Sequence, residues 1–528
     1  MTQSLILARL AVCTLLAWFL PQSSALASPC SGVRALASEK TTVSLSEIVG
    51  NGRLTTPYGN TLEQLPQFCR IAGVFRPTRD SVIRFEVWMP TSGWNGRFLG
   101  VGNGGYAGTI NYEQMASSLR RGFVTASTDT GHEAGPEDAS WAFHHPEKIA
   151  DYGYRALHLT TVFAKKALTA FYGQPAQHAY FDSCSNGGRE GLVEAQRFPE
   201  DYDGILAGAP ANNWTSMLTS AIDVVQTMAS DPAAYISTMK LPAIHRAVLD
   251  ACDATDGVKD GIVSNPAMCR FDPASLLCKG EDSLTCLTSP QVKTLRKLYT
   301  GGSTRDGKKI FPGYVPGSEI PAWDYWVIGP GPEAGAGARY PVNFFRYMVT
   351  EDPKWNIDAA DAGTAQSEAE AAVGKILNAT NPNLQPFFDR GGKMILYHGW
   401  NDSAISPWNT INYLTSVREK VGETKTDAGV RLYMVPGMEH CFGGPGPSSF
   451  GQLGLSEGQG IGSGSLDLLE RWVELQRAPD VILASKFSGK GKAAAATMTR
   501  PLCPYPQVAK YSGKGDPNRA ESFTCAKQ

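Results

Sequence analysis

Residues 183–188 read Ser-Cys-Ser-Asn-Gly-Gly, and residues 436–442 read Pro-Gly-Met-Glu-His-Cys-Phe. The first segment offers a hydroxyl beside a thiol, the second an imidazole beside a thiol. A hydroxyl is a weak nucleophile at neutral pH and needs a neighbouring base to take its proton. A bond between Cys184 and Cys441, if it forms, would tie the neighbour of a nucleophile, Ser185, to the neighbour of its base, His440. These residue types point to covalent ester chemistry.

The elements around them must supply the positions. His178-Ala-Tyr-Phe-Asp-Ser183 is short, aromatic and strand-like. Asn186-Gly-Gly-Arg-Glu-Gly-Leu-Val-Glu-Ala195 reads as the start of a helix. A serine on a sharp strand-to-helix turn among small residues is the nucleophile elbow of α/β-hydrolases, although Ser183 stands where the first glycine of G-x-S-x-G is expected. In that fold the acid and the histidine follow the serine along the chain. Lys393–His398 is an apolar strand followed by Gly-Trp-Asn-Asp402, and Val430–Val435 is another followed by Pro-Gly-Met-Glu-His440. Asp402 would fix the imidazole tautomer and stabilise the imidazolium. Taken singly, Asp402 reads equally as a turn carboxylate and His440 as a packed loop histidine; it is their order behind the serine motif that argues for chemistry.

Acyl transfer also needs an oxyanion hole. One donor is expected from the backbone N–H of Asn186, the other from the loop after Arg97–Gly102, at Gly104 or Gly105. The same loop holds a rival pattern. Gly100, Gly102 and Gly105 satisfy G-x-G-x-x-G, and Asp129 follows at a spacing near the roughly 20 residues of a ribose contact. A dinucleotide-binding oxidoreductase is therefore weighed. The motif does not open a chain-initial βαβ unit, and the export signals below count against it.

The chain has 528 residues, 42% hydrophobic and 19% charged, with a net charge of −2. That length suits two or more domains, and the near-neutral charge gives no case for nucleic acid. Residues 1–27 carry one positive charge, an apolar core over 10–20 and an Ala25-Leu-Ala27 cleavage pattern, which reads as a signal peptide. The mature protein is expected to be secreted or periplasmic, with no membrane association after cleavage. Cys13 would leave with the leader. Ten cysteines remain, an even number that suits disulfides in an exported protein. Sequence neighbours suggest Cys30 with Cys69, Cys252 with Cys269, Cys278 with Cys286 and Cys503 with Cys525, leaving Cys184 and Cys441; spacing cannot prove connectivity.

Alternating strand and helix signals over 80–210 resume at 390–475, which predicts a parallel α/β sheet. The expected division is a catalytic domain over 28–211 and 390–528, interrupted by a lid domain over 212–389. That insertion contains Cys252-Asp-Ala-Thr-Asp-Gly-Val-Lys-Asp-Gly-Ile262. Asp253, Asp256 and Asp260, with the carbonyls of Val258 and Ile262, could serve a hard cation. A solvated acidic turn is equally compatible.

Taken together, Cys184-Ser185-x-Gly-Gly-Arg-Glu-Gly, His398-Gly-x-x-Asp402, His440-Cys441, Ser127-Thr-Asp-Thr-Gly-His132 and the Cys-Asp-x-x-Asp-Gly-Val-x-Asp-Gly loop resemble the tannase/feruloyl esterase family, which includes a bacterial mono(2-hydroxyethyl) terephthalate hydrolase. The resemblance covers nearly the whole mature chain. It implies an α/β-hydrolase fold with a large lid, a triad of Ser185, His440 and Asp402, a Cys184–Cys441 bridge, and a structural Ca2+ held by Asp253, Asp256, Val258, Asp260 and Ile262. Substrate recognition is expected in the lid, with Trp323, Tyr325, Trp326, Phe344, Phe345 and Arg339 as candidates, plus Trp400 beside the triad acid. The expected function is a serine carboxylesterase acting on small aromatic-acid esters of feruloyl, galloyl or terephthalate monoester type. The alternative of another class is a catalytically silent secreted binding protein on a hydrolase scaffold.

Overall fold

Among the described residues, nine strands build the central sheet: β1 (Thr41–Val49), β2 (Phe68–Phe75), β3 (Ile83–Pro90), β4 (Arg97–Val101), β5 (Val124–Thr128), β6 (His178–Cys184), β7 (Gly204–Gly208), β8 (Lys393–Gly399) and β9 (Val430–Val435). Their order is β1-β2-β3-β5-β4-β6-β7-β8-β9. The computed structural model describes residues 30–455, 464–488 and 495–527. The expected leader at 1–27 lies outside them.

From β5 to β9 every pairing is parallel. The other edge is not: β1–β2, β2–β3 and β3–β5 pair antiparallel, so the wholly parallel sheet expected from the sequence is corrected to a mixed one. The cause is local, because the short link between β2 and β3 has no room for a crossover helix, and close neighbours then pair as a hairpin.

The parallel strands are buried on both faces, as their unbroken apolar runs require. In β8, Met394 and Leu396 join a core with Phe163 and Ala164, whereas Ile395 and Tyr397 join another with Leu469 and Trp472. Helices α1 (Ala156–Tyr172), α2 (Asn186–Arg197), α5 (Pro407–Val421) and α6 (Ser465–Leu475) cover these two faces, while α3 (Trp214–Ala229) and α4 (Ala336–Phe344) belong to the insertion. Upstream of α1 the helical run that starts at Pro146 passes through a π turn at Asp151–Arg155, a device that commonly sits at functional sites.

Among the described residues, the chain between β7 and β8 adds no strand to this sheet. Its apolar core contains Trp214, Ile222, Leu298, Trp323, Phe344 and Phe345, and continues into Tyr106, Trp141 and Tyr152 of the sheet layer. The insertion is therefore packed onto the carboxyl ends of the strands by a shared core. Among the described residues five disulfides close the chain: Cys30–Cys69, Cys184–Cys441, Cys252–Cys269, Cys278–Cys286 and Cys503–Cys525.

Candidate active site

Ser185 lies between β6 and α2 with φ 66° and ψ −125°, a backbone region that L-residues avoid and that persists only where its surroundings enforce it. Two glycines allow the turn. A Cβ on Gly188 would meet the Gly208 carbonyl at 2.2 Å, and one on Gly187 would meet Ser183 Oγ at 1.9 Å. Ser183 is tolerated in place of the usual first glycine because Gly187 and Gly102 leave room for its hydroxyl.

The three strand ends deliver one hydrogen-bonded line. Ser185 Oγ–H donates to His440 Nε2 at 2.8 Å, and His440 Nδ1–H donates to Asp402 Oδ2 at 2.7 Å. Asp402 Oδ1 accepts the backbone N–H groups of Ala404 and Ile405, each at 2.8 Å. His398 Nε2 approaches Asp402 Oδ2 at 3.1 Å, and its Nδ1 lies 2.7 Å from Thr410 Oγ1. Burial alone would push the Asp402 carboxyl up, but the charge of His440 and hydrogen bonds from His398 and His440 prevail and hold it well below the usual carboxylate range. Cys184 and Cys441 are bridged with their Cα atoms 5.9 Å apart, directly beside Ser185 and His440.

A pocket opens from Ser185 and His440 into the insertion. Of the two glycines expected to serve the oxyanion, Gly105 lines this pocket and Gly104 faces a separate cleft with Tyr58 and Thr109. Gly105 has φ +55°, and a Cβ there would strike the Pro136 carbonyl at 2.3 Å. Asn186 is fully buried at the start of α2, where backbone N–H groups lack intrahelical partners.

The pocket wall corrects most of the expected recognition residues. Trp326 lines it, with its ring 5.6 Å from that of His440 and edge-on. Trp323, Phe344 and Phe345 have no exposed surface and belong to the insertion core. Trp323 and Trp326 sit on one helical turn and point apart, one to Ser318 Oγ and one to the cleft. Trp400 is buried in the core behind the sheet against Trp408. Arg339 makes a two-pronged ion pair with Glu137 at 2.6 and 3.0 Å, and Tyr325 also donates to Glu137; a carboxylate clamp exists, but its carboxylate is the protein's own. Sequence reading missed the real wall. Trp214, Met217, Leu218, Ala221, Val224, Val225 and Met228 line the pocket from α3, joined by Tyr314, Tyr340 and Ile405. The stripe at 214, 217/218, 221, 224/225 and 228 is a helical period directly after β7, and that signal was available.

The glycine pattern that suggested a dinucleotide is filled by side chains. A Cβ on Gly100 would meet the Tyr202 hydroxyl at 2.2 Å, and one on Gly102 would meet Glu190 Oε2 at 2.4 Å. Asp129 accepts the N–H groups of Arg84 and Gly131, at 2.9 and 2.8 Å, so it closes a turn. Burial raises its pKa to about 7.

In the acidic loop, Asp253 accepts the N–H groups of Asp260 and Gly261, Asp256 Oδ1 accepts that of Val258, and Asp260 pairs with the buried Arg500. Asp256 Oδ2 is buried with no hydrogen-bond partner, and burial raises the pKa of both Asp256 and Asp260. Asp256 and Asp260 both face the charge of Arg500, and the Asp256 oxygen without a hydrogen-bond partner suits a hard cation.

A family model described as tannase and feruloyl esterase matches residues 69–526. The chain belongs to the tannase and feruloyl esterase family. An uncharacterised esterase of Xanthomonas campestris pv. campestris is 41% identical over 94% of this chain and 91% of its own length. A protein named probable feruloyl esterase B-2 of Aspergillus flavus is 35% identical over 82% of this chain and 84% of that one. The crystal structure of feruloyl esterase B from Aspergillus oryzae superposes with a TM-score of 0.86 at 29% identity, covering 94% of this chain and 99% of that one. Tannin acyl hydrolase from Aspergillus niger shares the fold, with a TM-score of 0.75 at 20% identity. This family member is thus a carboxylic ester hydrolase of α/β-hydrolase fold, which sets aside the silent binding protein and the oxidoreductase.

Proposed function

We propose that the protein is an exported serine esterase that cleaves small aromatic-acid esters through an acyl-enzyme on Ser185. The observation that carries this reading is the Ser185–His440–Asp402 hydrogen-bonded line at the mouth of an aromatic and aliphatic pocket. His440 takes the Ser185 proton as Oγ attacks the ester carbonyl. The tetrahedral oxyanion is met by the backbone N–H groups of Gly105 and Asn186, the latter at the N-terminus of α2. Collapse expels the alcohol, which leaves with the proton held by His440. Water then attacks the acyl group with His440 again as base, releasing the acid and restoring Ser185. Asp402 stays ionised throughout, holding the Nδ1–H tautomer.

Among the described residues, His440 is the one titratable nitrogen base on the pocket wall, and no Asp, Glu, Lys or Arg lines it. A free carboxylate on the substrate would be desolvated there without a partner, which is costly. The reading is therefore a neutral aromatic acyl group of hydroxycinnamate type, ahead of a terephthalate monoester. The relatives named feruloyl esterase support it. A structural calcium is part of the proposal: the carboxylates of Asp253, Asp256 and Asp260 and the carbonyls of Val258 and Ile262 would hold it, supplying charge neutralisation to a loop outside the cleft. Export is supported by five disulfides, and no helix among the described residues is long and apolar enough to cross a membrane. A panel of methyl ferulate, methyl gallate and mono(2-hydroxyethyl) terephthalate tests the reading. Highest kcat/KM on the ferulate is expected; preference for the terephthalate monoester would overturn the neutral-pocket argument.

A further inference from the structure

Two buried side chains each reach both halves of the oxyanion hole. Glu190, on the second turn of α2, is 3% exposed. Its Oε2 accepts the backbone N–H of Asn103 at 3.0 Å, and its Oε1 accepts the Nδ2 of Asn186 at 3.1 Å. One carboxylate thus joins the loop carrying Gly105 to the residue after the nucleophile. Tyr152, 1% exposed and lying in the π turn, repeats the bridge from the other side. Its hydroxyl donates towards the Gly105 carbonyl and Asn186 Oδ1, each at 2.9 Å. Since a hydroxyl carries one proton, these two acceptors share it.

The bridges are themselves braced. Arg189, fully buried, donates from Nε to Asn186 Oδ1 at 2.8 Å, and from its two NH2 groups to the carbonyls of Gly153 and Tyr152 at 2.8 and 3.1 Å. The π turn that presents Tyr152 is thereby locked to α2. The loop is pinned further along, where Tyr106 N–H donates to the Pro136 carbonyl at 2.7 Å and the Tyr106 carbonyl lies 2.7 Å from His132 Nε2. A buried carboxylate is costly to keep; burial accordingly raises the Glu190 pKa, to about 7. Apolar packing would hold helix to loop at less cost but would not fix two N–H vectors, and acyl transfer depends on those vectors.

We propose that Glu190 and Tyr152 are positioning residues, a paired clamp that keeps the Gly105 and Asn186 backbone donors aimed at one oxyanion. The proposal rests on the acyl-Ser185 reading above. Neither side chain touches the reacting atoms, so the clamp acts on kcat through geometry, and misplacements of a fraction of an ångström to one ångström cost on the order of 100-fold.

The test uses Tyr152→Phe and Glu190→Gln in the full chain, with two matched substrates: a p-nitrophenyl ester and its thiono analogue, in which sulfur replaces the carbonyl oxygen. An ordered oxyanion hole favours oxygen over sulfur, because N–H donors bind a developing thiolate poorly. The expected result is a fall in kcat on the oxygen ester of about 10-fold for Tyr152→Phe and about 10- to 100-fold for Glu190→Gln, with KM within about threefold and the oxygen-to-sulfur ratio of kcat/KM falling by a comparable factor. The phenylalanine variant removes a single oxygen, so it guards against a glutamine variant that fails to fold. Equal losses on both substrates with an unchanged ratio, or no loss at all, overturn the clamp. Turnover that survives Ser185→Ala would instead overturn the Ser185 reading beneath it.

Discussion

The two walls of the cleft are held by different forces. On one side, Ser185, His440 and Asp402 hang from the ends of β6, β9 and β8, joined by hydrogen bonds of 2.7–2.8 Å and by a disulfide beside two of them. On the other, Trp214, Met217, Val224, Trp326 and Tyr340 present apolar surface from the insertion. The first wall is directional and costly to displace; the second is a packed surface that discriminates by volume and polarity. Chemistry and acceptance should therefore respond separately to substitution, kcat to the first wall and KM to the second.

The sharpest separation is expected from Ser185→Ala. It removes the proposed nucleophile and leaves the pocket whole. A loss on the order of 10⁴ or more in kcat is expected, with the melting temperature unchanged and binding of the product acid retained in a calorimetric titration. Near-normal turnover would locate the nucleophile elsewhere.

Replacing both Cys184 and Cys441 by alanine probes what holds the first wall in register. The bridge spans 257 residues of sequence, so chain entropy assigns it about 5 kcal/mol of stability. Its position beside Ser185 and His440 assigns it a second role, and kcat in the folded fraction should fall on the order of 100-fold. A lowered melting temperature with unchanged kcat would reduce the bond to an ordinary staple.

Trp326 and Trp323 test the second wall as a pair. Trp326→Ala should raise KM for a ferulate ester about 10-fold, since a ring facing the substrate contributes on the order of 1 kcal/mol through its contacts, while leaving p-nitrophenyl acetate turnover within about threefold. Trp323→Ala opens a hole in the insertion core and should cost about 3–5 kcal/mol of stability, read as a depressed melting temperature. If both variants changed KM and neither changed stability, the assignment of one ring to the cleft and the other to the core would be wrong.

These two rings also mark where sequence reading stops. Ser185, Asp402 and His440 could be placed because each follows an apolar strand, and a parallel sheet puts all its strand ends on one edge. The strands themselves were legible from unbroken apolar runs such as Val430–Val435. Side-chain direction within the insertion was not: Trp323 and Trp326 share composition and neighbourhood, and only the packed helical turn decides that one faces Ser318 and the other His440. Phe344 and Phe345 misled for the same reason, since an aromatic-rich segment serves a core as readily as a pocket. The antiparallel edge escaped because β1 carries a half-exposed, mixed pattern and β2 only alternates buried and half-buried positions. The clamp of Glu190 and Tyr152 was invisible because its partners come from three separate segments.

The smallest effect on chemistry is expected at the acidic loop. Asp253, Asp256 and Asp260 stand outside the cleft, and Asp260 pairs with Arg500, whose guanidinium lies 3.9 Å from the Phe523 ring centroid. The loop is nevertheless not remote from the first wall, for a Cβ built on Gly437 would come within 3.3 Å of Ile262, and Gly437 opens the turn that carries His440. Two outcomes can be separated. A cation held at about 100 times its dissociation constant stabilises by about 2.7 kcal/mol, which for a chain of this size is a shift of about a few degrees. Chelation should therefore lower the melting temperature by that amount, and calcium should restore it, with kcat at 25 °C changed less than about twofold. Asp256→Asn, which removes the charge on the orphaned oxygen, should abolish the calcium-dependent part of the shift. A chelator that lowered kcat tenfold while the melting temperature held would instead make the Ile262–Gly437 contact a route from the loop to His440, and the two walls would no longer be independent.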